Sequence, residues 1–221
     1  MPRKASGTRK AKKVIRVFCE GQSEQAYTEY LKRTFSDVAV LDYPKETGLF
    51  EKAKRLFENN ARYRDNADVI DEVWFFFDVE TEDIDKWQRR LAIIRSLRKL
   101  RKKPPLNVRL LMTTGCIEYW LMLHYKKVCP PSILTPAEKD RIMADLLEQE
   151  PHYKKGDYAS TARIAAHHLR ASENARESFR RLLDEGMPGL EDTDERNHWL
   201  CRNCFTFSTV FEAIDFLQSL P

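Results

Sequence analysis

Hydrophobic and polar positions along the chain alternate between two periods. Residues 14 to 20, VIRVFCE, are rich in β-formers and close on Glu20-Gly21, which predicts a strand running into a turn. From 24 to 35 the apolar positions Ala26, Tyr27, Tyr30 and Leu31 fall on one helical stripe, with Ser23 placed to cap it. Val38 to Leu41 is a short apolar strand, and 48 to 60 returns to helical spacing through Leu49, Phe50, Ala53, Leu56 and Phe57. Five consecutive large apolar residues, Val73 to Phe77, predict a strand buried on both faces, because a half-exposed strand would alternate with polar residues. A helix follows over 83 to 103, with Trp87, Leu91, Ile94, Leu97 and Leu100 inward and Pro104-Pro105 as its stop. NVRLLMTT, 107 to 114, is another strand, and Gly115 turns the chain into the apolar helix CIEYWLMLHY.

Strands alternating with helices build a parallel sheet with right-handed crossovers, so 14 to 126 is expected to be an α/β domain with helices flanking the sheet. Ligands of such sheets sit beyond the C-terminal ends of the strands, where strand order reverses. Past Pro130-Pro131 the pattern becomes helical: 136 to 149, 158 to 185 with a break near Ala171-Ser172, and 208 to 219. Residues 127 to 221 are therefore expected to form a helical extension packed on the sheet domain.

The chemistry begins where the central strand leaves the core. Asp78 and Glu80 are two residues apart, on one side of an extended chain, where they can share a divalent cation or flank a phosphate. Glu20 ends another strand, so one crevice can hold all three. The plainer account is that acids after a strand solvate a loop and open the next helix. Carboxylates crowded without a cation in the motif favour Mg²⁺ or Mn²⁺ over zinc. Glu24 is either a further ligand or a favourable acid in the first turn of a helix.

Charge changes the picture in two places. Residues 1 to 13 carry six basic residues and no acid; subtracting those six charges from the net +4 leaves the remaining chain at −2. That tail is expected to be disordered, and is either a collector of phosphates, a tag remnant or a solubility tail. On the helix of 83 to 103, Arg89, Arg90, Arg95, Arg98, Lys99, Arg101 and Lys102 follow Lys86 with no acid after Asp85. They either track a nucleic-acid backbone toward the acidic loop, with help from Trp87 if that ring is not core, or form an ordinary solvated face.

Composition mainly excludes. With 221 residues, 42% hydrophobic and 33% charged, the chain has the make-up of a helix-rich soluble protein. No apolar run approaches the roughly 20 residues of a membrane span, and no signal segment opens the chain, so a cytoplasmic location is expected. The five cysteines are expected as free thiols. Cys201-Arg-Asn-Cys204, near His198, has the spacing of half a zinc site, without a second pair to complete it. His152, His167 and His168 stand as isolated helix or loop histidines. There is no P-loop and no dinucleotide fingerprint.

Three blocks together, CEGQSE (19 to 24), DEVWFFFDVETED (71 to 83) and TTGCIEYWLMLHY (113 to 125), resemble the RloB family, whose members have a Toprim-like domain. The family pattern is a strand ending in EG-x-[ST]-E, a strand ending in FD-x-[DE], and a helix with FE-x-WLLLH[FY]. This chain fits all three with small departures, at Gln22-Ser23, at Val79-Glu80, and at Thr114-Gly115-Cys116-Ile117, where Asn-Pro and Phe are commoner. HYKKGDY (152 to 158) is similar to a Tyr-x-Lys region of the family. The resemblance implies a Toprim-like parallel sheet with a C-terminal helical extension, and Mg²⁺-dependent phosphodiester chemistry. It implies Glu20 as acid/base or metal-binding glutamate and Asp78 and Glu80 as the metal pair. Glu118 and His124 match the helix block, although six residues put them about 240° apart around a helix axis. Lys154 or Lys155 is the candidate to stabilise a transition-state phosphate. The family's association with restriction-linked and abortive-infection loci implies a nuclease of DNA or RNA in antiphage defence, with an ATPase partner. The alternative is a non-catalytic nucleic-acid-binding or regulatory subunit.

Overall fold

The computed structural model describes residues 11 to 101 and 103 to 221, so most of the basic tail, and Lys102, lie outside the described residues. Four strands, β1 (Lys13–Cys19), β2 (Ala39–Asp42), β3 (Glu72–Val79) and β4 (Asn107–Thr114), form one sheet in the order β2-β1-β3-β4. Every pairing is parallel. Helices α1 (Gln22–Thr34), α2 (Phe50–Asn59), the short α3 (Ala61–Arg64) and α4 (Asp83–Arg98) make the crossovers. The α/β class and all four strands match the sequence pattern.

β3 is covered on both sides. Phe75 and Phe77 meet Phe50 of α2, at ring-centroid separations of 4.1 and 5.6 Å. Phe76 points the other way, edge-on to Tyr27 of α1, and Trp74 reaches Phe216. Alternation explains why every residue from Val73 to Phe77 is apolar: each is fully buried, on one face or the other. Burying each such side chain contributes about 1.5–3 kcal/mol. The same alternation carries Asp78 out of the core on the α1 side, two residues after Phe76.

Residues after β4 form α5 (Ile117–Met122), α6 (Pro136–Gln149), α7 (Tyr158–Ala165), α8 (His168–Arg180), α9 (Asp194–Asn203) and α10 (Val210–Ser219). The break expected near Ala171-Ser172 falls instead at Ala166-His167, and α8 runs through Ala171 and Ser172, which are buried. α9 was not expected. Its Arg196 is fully buried, with Nη1 donating to the Leu190 carbonyl at 2.6 Å and its guanidinium paired to Glu212 and Asp192. Burying that arginine is tolerable only because its charge and donors are met.

The extension also closes the sheet. Thr114 N–H donates to the Phe207 carbonyl at 3.0 Å and Thr209 N–H to the Met112 carbonyl at 2.8 Å, while Thr113 pairs antiparallel with Ser208. The free edge of β4 is thus covered by 207 to 209, a standard protection against edge-to-edge association. Gly115 is where β4 turns away, at φ +75°; an added Cβ would stand 1.8 Å from the Ile133 carbonyl oxygen. Only glycine lets the 130s segment lie this close.

α4 stops at Arg98, short of the expected 103. Beyond it Arg101 donates to the Pro104 carbonyl and to the Ile70 carbonyl, both at 2.9 Å, folding the chain back toward β4. Cys201 and Cys204 end α9 rather than making a metal site. Cys204 is the left-handed C-cap at φ 50°, and burial pushes the Cys201 thiol up to about 12. His198 stacks on Trp87, which is buried and so not available to a base.

His124 is a core residue. Its ring is fully buried, bonded to Tyr27 Oη at 3.1 Å through Nε2 and to the Trp120 carbonyl at 3.0 Å through Nδ1. Burial pulls its pKa from the usual 6.5 down to about 3. Below pH 6.5 the unfolded chain takes up a proton that the folded one refuses, so this residue's contribution is complete above 6.5 and is lost as pH falls toward 3. Urea titrations should therefore show wild type losing up to about 1.4 kcal/mol per pH unit between pH 6 and 4 relative to His124→Gln. Parallel stability curves for the two proteins would contradict a neutral buried imidazole.

Candidate active site

The strand order places β1 beside β3 while β2 lies on the other side of β1, so the switch point falls between β1 and β3. Their C-terminal ends meet there. Glu20 N–H donates to the Phe76 carbonyl at 3.0 Å, and Asp78 N–H donates to Glu20 Oε2 at 2.9 Å. A cleft of about 290 Å³ opens above them, lined by five carboxylates, Glu20, Glu24, Asp78, Glu80 and Glu118, and by two cations, Lys139 and Lys155.

Each carboxylate arrives from a different piece of local structure. Glu20 follows β1 and is exposed at the cleft mouth. Glu24 is buried in the first turn of α1, where its Oε2 reaches back to accept from the N–H of the N-cap, Gly21, at 2.9 Å. Both accounts of Glu24 therefore hold geometrically: it caps the helix and lines the cleft. Glu80 pairs with Lys139 of α6, and its N–H donates to Asp83 Oδ2 at 3.0 Å. Glu118, buried in α5, accepts from Tyr153 Oη at 3.1 Å and lies 3.4 Å from Lys155 Nζ.

The electrostatic centre is Asp78. Burial, and then the neighbouring charges of Glu24, Glu20 and Glu118, hold its carboxyl well above the usual range, against a lowering pull from Lys139. Its Oδ1 is buried and has no hydrogen-bond partner among the described residues. Burial and the charge of Glu20 likewise push Glu24 up to about 7. Acids this crowded repel, and a hard cation relieves both the repulsion and the unmet oxygen. The donor set, all oxygen, suits Mg²⁺ or Mn²⁺. As they stand, no three His, Cys, Asp or Glu side chains among the described residues are gathered closely enough to hold a metal. Glu80 and Glu118 are turned to lysine or tyrosine partners, while Glu20 and Glu24 each have one oxygen accepting from a backbone N–H.

The remaining candidates are distributed more widely. Lys155 reaches the cleft; Lys154 is exposed and does not line it. His124 lies in the core described above, in the turn after α5, and does not line the cleft. Most of the α4 cations are bonded within the protein. Arg90 is buried, donating to Asp83 Oδ1 at 2.7 Å between the rings of Phe50 and Phe77. Arg89 pairs with Glu51. Arg98 donates to Asp194 at 2.8 Å, Arg95 stands 4.0 Å from the same carboxylate, and Arg101 is occupied by backbone carbonyls. Lys99 is exposed. Several of these cations thus tie α4 to α2, α9 and the β3 entry, while the side chains of Lys86, Arg89, Arg95 and Lys99 stay largely exposed. Lys139 was missed in the sequence, because nothing in its own helix distinguishes it; its role comes from the fold bringing α6 against Glu80.

In a comparison with known families the chain matches RloB-like protein over residues 15–211. No curated protein matches the chain. The matched span contains β1 from Ile15 on, all of β3 and α5, and every residue lining the cleft. The chain belongs to the RloB-like family.

Proposed function

We propose that the protein is a divalent-metal-dependent phosphodiesterase acting on nucleic acid, with the cleft at the β1–β3 switch point as its active site. The observation that carries this reading is Asp78: a carboxylate with a buried, unpartnered oxygen, at the centre of four other acids, facing two lysines. Sites that strain carboxylates in this way do so for a reason, since the arrangement costs stability. The Toprim relation belongs to the same reading, with a glutamate after the first strand and an acidic pair after a later one.

Asp78 and Glu20 would anchor Mg²⁺ or Mn²⁺, with Glu80 and Glu24 as further oxygen donors. A divalent cation, when bound, lowers the pKa of a water nucleophile and neutralises charge on the phosphate. Glu20 is exposed and lines the cleft, with one oxygen held by Asp78 N–H and the other without a hydrogen bond among the described residues, which suits it to accept a proton from attacking water. Lys155 and Lys139 stand on the wall contributed by the extension, where they meet the oxygens of a phosphate. Tyr153 and Lys155 hold Glu118 and so fix that wall.

The antiphage setting and a partner ATPase are proposed with it, on the strength of the family resemblance. The alternative of a purely binding subunit, relying on the basic helix and tail, draws less support, because it leaves the strained carboxyl of Asp78 without a role, and two of the helix's arginines, Arg90 and Arg98, are engaged by Asp83 and Asp194.

Supercoiled DNA, single-stranded DNA, tRNA and unstructured RNA, each incubated with Mg²⁺, Mn²⁺ or EDTA, should reveal metal-dependent cutting. Glu20→Gln and Asp78→Ala should each reduce it at least about 100-fold. Cutting that persists in EDTA or in Asp78→Ala would overturn this assignment. The strain at Asp78 has its own signature. Asp78→Asn should raise the melting temperature in EDTA by about 2–4 °C, the equivalent of roughly 1 kcal/mol, while abolishing activity. A variant that melts lower in EDTA would show that the carboxylate is not held under repulsion.

A further inference from the structure

A second cavity, of about 270 Å³, opens beside the acidic cleft, lined by Gln22, Gln25, Glu29, Tyr43, Gly156 and Tyr158 among others. Gln22 lines both cavities. The segment from 153 to 158 also serves both. Lys155 faces the acids, and the next residue, Gly156, is interlocked with α1: its N–H donates to Ser23 Oγ at 3.1 Å, and a Cβ there would come within 2.8 Å of Gln22 Cβ. Tyr158, two residues on, forms a wall of the second cavity. A phosphate drawn to Lys155 is therefore next to this cavity by construction.

Its chemistry is that of a base site. Two tyrosine rings line it, and each carries a cation over a face: Arg33 at 4.3 Å from the Tyr158 centroid and Lys32 at 5.5 Å from that of Tyr43. Glu29 fixes this rim, accepting from Arg33 Nε at 2.7 Å and Tyr43 Oη at 3.1 Å. Gln25 is pinned by donating to the Pro44 and Lys45 carbonyls, at 3.0 and 3.2 Å. Gln22, exposed, makes no side-chain hydrogen bond among the described residues and presents an amide edge. Flat aromatic walls, an amide able to donate and accept, and a cationic rim suit a planar heterocycle with polar edges attached to a phosphate backbone.

We propose that this cavity receives an unstacked base of a single-stranded nucleic acid whose neighbouring phosphate lies in the acidic cleft. The placing of that phosphate rests on the phosphodiesterase reading; the recognition of the base does not. A base paired and stacked in a duplex cannot enter, so the preferred substrate is an unpaired strand or loop. Tyr158 and Tyr43 are the stacking residues, and Gln22 reads the base edge.

The test is binding of a short single-stranded oligonucleotide containing 2-aminopurine, followed by fluorescence in EDTA, where nothing is cut. The same sequence as a duplex serves for comparison. Wild type and Tyr158→Phe should quench the fluorophore and bind the strand at least about tenfold more tightly than the duplex. Tyr158→Leu should bind the strand at least about fivefold more weakly, with duplex binding and melting temperature unchanged. If Tyr158→Leu does not fold, Tyr43→Leu carries the same expectation. Equal strand affinity in the leucine variant, or a preference for duplex, would overturn the proposal. Tyr158-dependent quenching in a protein that cleaves nothing sustains the base site and removes the nuclease. Cleavage of single strands indifferent to Tyr158 does the reverse.

Discussion

The pairing of β1 with β3 is the constraint on which the site depends. Val17 to Cys19 lie in register with Trp74 to Phe76, and the last hydrogen bonds of that ladder carry Glu20 and Asp78 to one another from 58 residues apart. The register is not adjustable. β3 is buried on both faces by aromatic side chains, and a slip of one residue would send Phe75 and Phe77 to the wrong helices and Asp78 into the core. Packing of the phenylalanines thus fixes, at the strand ends, where the acids must stand.

The cleft that results is under opposed demands. The sheet needs its strand ends where they are, yet this leaves Asp78 with an unmet oxygen among like charges. The extension offsets part of that cost with Lys139 and Lys155, delivered by α6 and the 150s loop, and it closes the sheet edge with 207 to 209. It is consequently part of the site as well as of the fold. The same 150s loop joins the acid-lined cleft to the tyrosine-lined cavity, so that backbone chemistry and base recognition share a wall.

The sheet was legible in the sequence because its signals are local: apolar runs of strand length, helical stripes between them, and turn residues at their ends. Glu20, Asp78 and Glu80 were legible for the same reason, since parallel strands place their C-terminal ends together. The pairs that the α4 arginines make, with Glu51, Asp194 and the Ile70 carbonyl, were not legible because those partners come from remote segments that no local pattern reveals. Lys139, the edge-covering segment and the Tyr43–Tyr158 cavity were invisible on the same grounds. α9 was missed because Arg196 and Asn197, polar by type, occupy its buried face. His124 belongs to a conspicuous block, but α5 ends at Met122, and in the turn beyond it the ring is held in the core by Tyr27 and the Trp120 carbonyl.

The most direct test of the central claim, that the acids at the β1–β3 junction are poised for a divalent cation, is a Mn²⁺ titration followed by electron paramagnetic resonance of the free ion. Wild type should take up Mn²⁺ in competition with Mg²⁺, and Asp78→Ala should weaken that uptake at least about tenfold. No uptake by the wild type, or equal uptake by both proteins, would contradict the account.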